Sequence, residues 1–412
     1  TSYQISLSGR RGPTHLTIPT NLQSQSYDEN DMSFQSRING SSVINPNFSH
    51  QKIIEYLKKS SNPIIILGNG AHDVLSDEII KLVETLNIPI LTEMSARGII
   101  PDSHYLCFGL SDQRANPIAR VISESDLVIL LGKELDFTLD FGNHPTISKS
   151  SNIIQVDPDE QILSRSKRAD LSILSSVGNF VSQIVQNLNY YKVLKKSPDI
   201  LKTLEIEFKN HQSSLEKYIN DNESIHSMDI HFALNKILDE KSCMVFEGSD
   251  FAFYGASYYP ANQRDRWFVN GVLGMIGWGV PFGIGAKVAL PDEQVIVFTG
   301  DGASGFNLME IDTAVRNNVN VKIIIGCDSV WGIDYHQQVQ FFDNPVATNL
   351  NFVNYENIAK ATGAYGDLIE KKSELNSKLA KFLAHEGPGI LNIKTIPSPS
   401  PLTRHIMDNK EY

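Results

Sequence analysis

VIVFTGDGASG, residues 295–305, opens as an apolar, β-branched run and ends in glycine, aspartate and glycine. The apolar part, Val295 to Phe298, predicts a strand buried on both faces, as in a parallel sheet. A helix is expected to open near Ser304, so Gly300-Asp301-Gly302 should occupy the turn between strand and helix. Ligands of open parallel sheets sit beyond the carboxyl ends of the strands, often with a phosphate at a helix N-terminus. Glycines there let backbone N–H groups come close to it. Asp301 conflicts with this picture, because carboxylate and phosphate repel. The conflict disappears if Asp301 holds a divalent cation that bridges to the phosphate oxygens. Mg²⁺ is the natural candidate, a hard ion that takes one or two carboxylates plus phosphates and water.

A second oxygen ligand should then come from the end of the next strand. That strand, VKIIIG, runs directly into CDSVWG and places Asp328 27 residues after Asp301. One helix and one strand fit that interval, so the two acids are expected at neighbouring strand ends. Either aspartate alone is an ordinary turn former. The pair, at matching strand ends in a glycine frame, reads as a metal site.

Further outward, CMVFE, QVIVFTG, VKIIIGC and GILNIK read as the strands of an α/β region over 225–397. A similar alternation covers 46–187: strands NPIIILG, NIPILTEM, SDLVILLG and SNIIQVD with helices DVLSDEIIKLVETL and VGNFVSQIVQNL. Short apolar strands alternating with amphipathic helices imply parallel sheets covered on both faces. Residues 188–224 are Lys/Glu-rich with helical spacing and should bridge the two regions. Thr14 to Ile18, between Gly12-Pro13 and Pro19, is expected to form one isolated strand at the end of segment 1–25. Residues 26–45 read as a polar linker, and the proline-rich tail 398–412 as loosely held. The expected class is α/β: two parallel-sheet three-layer domains, plus a small remnant of a third.

At 412 residues the chain exceeds one ordinary domain. Its formal charge of −11 argues against a general nucleic-acid surface. No apolar run approaches the roughly 18–20 residues that span a bilayer, and the first residues show no signal-peptide core. The three cysteines, Cys107, Cys243 and Cys327, have no metal-ligand spacing and suit a cytoplasmic protein with reduced thiols.

GDGASGFNLMEIDTAVRNNVNVKIIIGCDSVWG, residues 300–332, resembles the cofactor signature of the thiamine diphosphate enzymes built like acetolactate synthase, in which Gly-Asp-Gly is followed after about 25 residues by Asn-Asn or a variant. GRRGPTHLTIP resembles the last strand of that family's pyrimidine-binding domain, 46–187 its central domain and 225–397 its diphosphate-binding domain. The resemblance implies thiamine diphosphate and Mg²⁺ as cofactors. It implies metal ligation by Asp301, Asp328 and the carbonyl of Val330, within a loop completed by Trp331 and Gly332. Asp328 stands where the family usually has asparagine. Gly300, Gly302, Ala303 and Ser304 would line the diphosphate, as would Gly248 and Ser249 in EGSDFAFYG; Asp250 is no obvious phosphate ligand. In NGVLGMIGWGVPFG the Gly274 carbonyl and the Ile276 N–H would bond the pyrimidine edge, with Met275 between them. Ile276 would also be the apolar wedge that bends the cofactor.

The family's activating glutamate belongs to the pyrimidine-binding domain of a neighbouring subunit. Glu93 and Glu134 do not match its motif, so the chain is expected to be a fragment and inactive alone. His336, in WGIDYHQQ, is a candidate for acting on an acyl intermediate. Asp157, at the end of IIQVD, and Arg97 are candidates for contacting FAD or an ADP moiety, as in relatives. LGNGAHD and GWGVPFG lack the spacing of a dinucleotide fingerprint. The expected chemistry is carbon–carbon bond cleavage or carboligation on a 2-oxo acid, in a homodimer or homotetramer. Oxalyl-CoA decarboxylase or 2-hydroxyacyl-CoA lyase chemistry on an acyl-CoA remains open beside it. A catalytically silent nucleotide-binding scaffold and a nicotinamide-dependent dehydrogenase are the readings from other classes.

Overall fold

The computed structural model describes residues 2–26, 48–165, 168–191, 196, 198–219 and 223–409. Among them twelve strands form two parallel six-stranded sheets. The first contains β1 (Pro63–Leu67), β2 (Ile90–Thr92), β3 (Cys107–Leu110), β4 (Leu127–Leu131), β5 (Asn152–Asp157) and β6 (Leu171–Leu174), in the order β3-β2-β1-β4-β5-β6. The second contains β7 (Cys243–Phe246), β8 (Trp267–Val269), β9 (Val295–Gly300), β10 (Val321–Cys327), β11 (Tyr365–Ile369) and β12 (Gly389–Lys394), in the order β11-β12-β10-β9-β7-β8. By contacts the chain divides into two compact units, Thr1–Pro89 with Ser123–Pro198, and Ile90–Ile122 with Asp199–Tyr412.

In the second unit the alternation of strand side chains builds two cores. Ile296 and Phe298 of β9 join Phe246, Ile324, Leu391 and Phe382 on one face. Val295 and Val297 join Val245, Ile323, Ile325 and Ile390 on the other. β9 and β10 are buried along their whole length, which is why their sequences read as uninterrupted apolar runs. In the first unit β1 and β4 show the same full burial and pair residue for residue, Pro63 with Leu127 through Leu67 with Leu131.

Four strands escape the sequence pattern: β3, β6, β8 and β11. All four are sheet edges. An edge strand is only partly covered, so its sequence carries no continuous apolar run; β11 is half-exposed at four of its five residues.

Two expectations are corrected. Thr14–Ile18 forms no strand; its residues are exposed, and the segment around it forms only the short helices Ser2–Leu7 and Thr20–Gln23. An extended segment becomes a strand only beside a ladder partner, and none adjoins it among the described residues. The tail is not loose: Pro401–Asn409 is a helix. Its start is fixed by Asp250, which is buried and whose Oδ1 accepts the Ser400 N–H at 2.8 Å and the Thr403 hydroxyl at 2.6 Å. The proline cluster Pro397–Pro401 ends at the first helical residue, where proline is well tolerated. The expected linker lies outside the described residues from residue 27 onward. Within 188–224 the structure contains helices Leu188–Tyr191 and Ile200–Glu216.

Asp250→Ala should free the tail, because two donors lose a buried charged acceptor, at about 1–3 kcal/mol for each unsatisfied group. Limited proteolysis should cut around residues 396–405 severalfold faster, and Thr403→Val should show a smaller effect. A second test concerns Asp157, buried at the end of β5 with Arg10 Nη1 at 2.8 Å. Burial raises its pKa to about 6, against the opposing pull of Arg10. The folded chain therefore holds this proton more tightly than the unfolded chain, whose aspartate titrates near 3.9. Stability linked to Asp157 is complete below about pH 4 and is lost as pH rises to about 6. Denaturation midpoints at pH 4 and 6.5 should show this loss in the wild type, and Asp157→Asn should lack it.

Candidate functional site

The ladder between β9 and β10 sets Gly300 opposite Gly326. Asp301 and Cys327 therefore leave their strands side by side, and Asp328 follows one residue later. On the other flank of β9, β7 pairs Phe246 with Phe298, and the Glu247 N–H donates to the Phe298 carbonyl at 2.8 Å. From β7 the chain passes to edge strand β8 and returns as β9 on the opposite side of β7. The carboxyl ends of β7 and β9 thus flank the switch point of the sheet, where ligands of such folds enter.

The helix expected near Ser304 opens earlier, as Asp301–Asn307 with Gly300 as its N-cap and no side-chain cap. The Ser304 hydroxyl turns back to donate to the Gly300 carbonyl at 2.7 Å. Three glycines of the expected cofactor turns, Gly300, Gly302 and Gly332, are needed by the protein itself. A Cβ at Gly300 would lie 2.6 Å from Ser249 Cβ, one at Gly302 2.6 Å from the Trp331 ring, and one at Gly332 2.6 Å from Asp250 Oδ2. The Ser249 hydroxyl accepts the Ala252 N–H at 3.1 Å and donates to the Glu247 carbonyl at 3.3 Å, so it serves first as a helix cap.

Asp301 is 3 % exposed. Its Oδ1 accepts the Gly302 N–H at 2.8 Å, and its Oδ2 accepts the Ser329 N–H at 2.8 Å and the Cys327 thiol at 3.3 Å. The Tyr355 hydroxyl donates to its carbonyl at 2.9 Å. Asp328 Oδ1 accepts the Val330 N–H at 3.2 Å. Between them Ser329 takes the left-handed conformation, φ 61°. An isolated antiparallel bridge joins Val330 to Asn349, with hydrogen bonds from Leu350 N to Ser329 O and from Trp331 N to Thr348 O. These bonds flank Val330, so its own N–H and C=O point away from Asn349.

Burial raises the Asp301 pKa. Burial, and then the charge of Asp301, pushes Asp328 up to about 8. Among the described residues no basic side chain ranks with these effects. Two carboxylates raised by burial, one of them raised further by the other, with a backbone carbonyl beside them, form an oxygen donor set short of one cation, and Mg²⁺ with phosphate and water as further ligands fits it. Among the described residues no group of three or more His, Cys, Asp or Glu side chains could hold a metal on side chains alone.

The stretch expected to cradle the cofactor rings is largely uncovered. Gly274 (φ 60°) and Met275 are exposed, and Ile276 is half-buried with its Cγ2 3.3 Å from a Cβ placed on Gly248. His336 lies in the second turn of the helix Gly332–Phe342; its Nε2 is buried without a hydrogen-bond partner among the described residues. Burial lowers its pKa against the opposing charge of Asp250.

The two nucleotide candidates belong to different units. Arg97 is buried in the second unit, gripping Asp102 with both terminal nitrogens at 3.0 and 2.5 Å and lying 4.9 Å over the Trp267 ring. Its guanidinium is committed to holding that turn, so a phosphate role is withdrawn. Asp157 lies in the first unit, taken by Arg10. Glu134 pairs with Arg165 at 2.6 Å. Arg10 and Glu247 are the residues the sequence reading passed over. Glu247 carried the same signal as Asp301, an acid directly after a buried strand, but without glycines on both sides to mark it.

Comparison with known proteins adds the following. Residues 248–393 match the model of the thiamine pyrophosphate enzyme C-terminal TPP binding domain, and residues 50–184 that of the thiamine pyrophosphate enzyme central domain. The chain is 27% identical to a probable acetolactate synthase of Mycobacterium bovis, over 83% of its own length and 61% of the relative's. It is 27% identical to 2-hydroxyacyl-CoA lyase 2 of Caenorhabditis elegans, covering 83% of this chain and 54% of that one. With the human 2-hydroxyacyl-CoA lyase 2 it shares 29% identity, over 79% of this chain and 51% of the relative. The chain thus spans between half and two thirds of the length of these relatives. No helix among the described residues is long and apolar enough to cross a membrane. Matched over most of its length by two domain models of one family, with the acid pair inside the matched cofactor domain, the chain belongs to the thiamine pyrophosphate enzymes.

Proposed function

We propose that this chain binds thiamine diphosphate (the same compound as thiamine pyrophosphate) through Mg²⁺ held by Asp301, Asp328 and the Val330 carbonyl. We further propose that it serves an acetolactate synthase-like enzyme that makes or breaks a carbon–carbon bond beside the carbonyl of a 2-oxo acid. The observation that carries the reading is the pairing of Gly300 with Gly326, which brings the buried Asp301 and the half-buried Asp328 together beside the switch of the sheet.

When bound, the cofactor supplies a carbon nucleophile for addition to a carbonyl. The chain's own residues bind and orient it. Asp301 and Asp328 would hold the cation, and Ala303 belongs to a first helical turn whose N–H groups have no backbone partner within the helix, the Gly302 N–H being taken by Asp301 Oδ1. Ile276, backed by Gly248, would limit how flat the rings lie, and the Gly274 carbonyl would face the pyrimidine edge. Val272, Leu273, Met275, Phe306 and Met309 are exposed around this cradle, Leu273 at 93 %. A pyrimidine-binding domain of a second subunit would cover them, in a homodimer or homotetramer.

Acyl-CoA lyase chemistry is the second reading, favoured by the equal identity to a 2-hydroxyacyl-CoA lyase and to an acetolactate synthase. In the full-length protein, formation of acetolactate from pyruvate supports the first reading; cleavage of a 2-hydroxyacyl-CoA without it supports the second.

Calorimetric titration should show thiamine diphosphate binding that requires Mg²⁺. Asp301→Asn should weaken it at least about thirtyfold, or about 2 kcal/mol. Asp328→Asn keeps an oxygen ligand and should retain Mg²⁺-dependent binding. Unchanged affinity in Asp301→Asn would reject the metal assignment.

A further inference from the structure

We infer that Glu247 is a positioning residue, its carboxylate bracing the Gly277–Gly279 turn and thereby fixing the Gly274–Ile276 cradle above the diphosphate turn. The cradle's role rests on the function proposed above; the brace itself is geometry.

Glu247 directly follows β7 and is 1 % exposed. Its Oε1 accepts the Gly279 N–H at 3.1 Å, and the backbone of Gly277 and Trp278 and the Thr299 side chain favour its charged form. Backbone N–H groups that face one carboxylate form an anion nest. Here the anion is part of the protein. The helix Gly279–Ala289 has no side-chain cap from Trp278, so Glu247 supplies the negative charge its N-terminus favours. The approach is close: a Cβ at Gly279 would lie 2.8 Å from both Glu247 Cβ and Oε2.

The opposite side of the turn is held as well. Asn307 Nδ2 donates to the Gly277 carbonyl at 2.6 Å, and a Cβ at Gly277 would lie 2.6 Å from Phe306 Cβ. Gly277 is thus fixed between Glu247 and the helix that begins at Asp301. The residue before it is Ile276, which packs over Gly248, the neighbour of Glu247. Buried against the turn with Oε1 bonded to it, Glu247 acts through that turn.

The experiment uses the full-length protein in two parts. Without cofactor, hydrogen exchange is followed for a peptide covering residues 275–282. Glu247→Gln keeps the volume but turns an amide donor toward N–H groups, and Glu247→Ala removes the acceptor. Both should exchange at least about tenfold faster there than the wild type, while peptides of β9 and β10 keep their rates. With cofactor, Glu247→Gln should raise KM for thiamine diphosphate about tenfold and change KM for the 2-oxo acid by less than about twofold. A merely structural loss would lower the active fraction and leave both KM values in place. Wild-type exchange at 275–282 in both variants overturns the brace. Faster exchange with unchanged KM for the cofactor overturns its bearing on the site. If the wild type binds no thiamine diphosphate, the functional reading fails, and the exchange result alone judges Glu247.

Discussion

The site depends on one ladder, β9 against β10, and on its register. Both strands are buried on both faces, so a slip by one residue would exchange the side chains that fill the two cores, Ile296 and Phe298 for Val295 and Val297. The hydrophobic layers on either side thus fix the position of the two acids that follow the strands. Gly300 opposite Gly326 is the last rung before the acids, and glycine is required at both ends of it. At Gly300 the neighbour is Ser249, and at Gly326 a Cβ would meet the Phe251 ring at 2.4 Å.

Four acids gather at this edge of the sheet, and the protein answers each desolvated charge differently. Asp250 is met by the C-terminal helix, through Ser400 and Thr403. Glu247 is met by a backbone turn. Asp301 is met by Gly302, Ser329 and Cys327, all weak or neutral donors. Asp328 receives only the Val330 N–H among these; burial first, then the charges of Asp301 and Asp250, hold its proton to about pH 8. The series separates acids that support the fold from the pair whose charge the fold leaves uncompensated. Only that pair calls for a cation.

Sequence made the central strands and this pair legible for the same reason. Full burial writes itself as an apolar run, and an acid placed directly after such a run is costly unless it is used. The edge strands β3, β6, β8 and β11 were illegible because partial burial leaves no run to read. The Thr14–Ile18 segment shows the converse: β-branched residues between prolines describe a chain willing to be extended, while a strand also requires a partner. The glycines at these turns admit close approaches from within the protein. Trp331 and Asp250, the latter the first residue of the helix Asp250–Tyr258, lie far from them in sequence, and no local pattern announces them. Arg97 illustrates the same limit, its charge consumed by Asp102 five residues later.

The departure at Asp328 now has a physical consequence. An asparagine there would ligate through a neutral oxygen and add no charge beside Asp301. Before any cation binds, burial and the charge of Asp301 hold the Asp328 proton to about pH 8, so near neutral pH the carboxyl is neutral and adds no repulsion. On the reading proposed above, a divalent ion would have to displace that proton, because a carboxylate ligates in its deprotonated form. An asparagine would have no proton to lose. Cation binding here would therefore strengthen as pH rises toward 8, where an asparagine at this position would leave it flat.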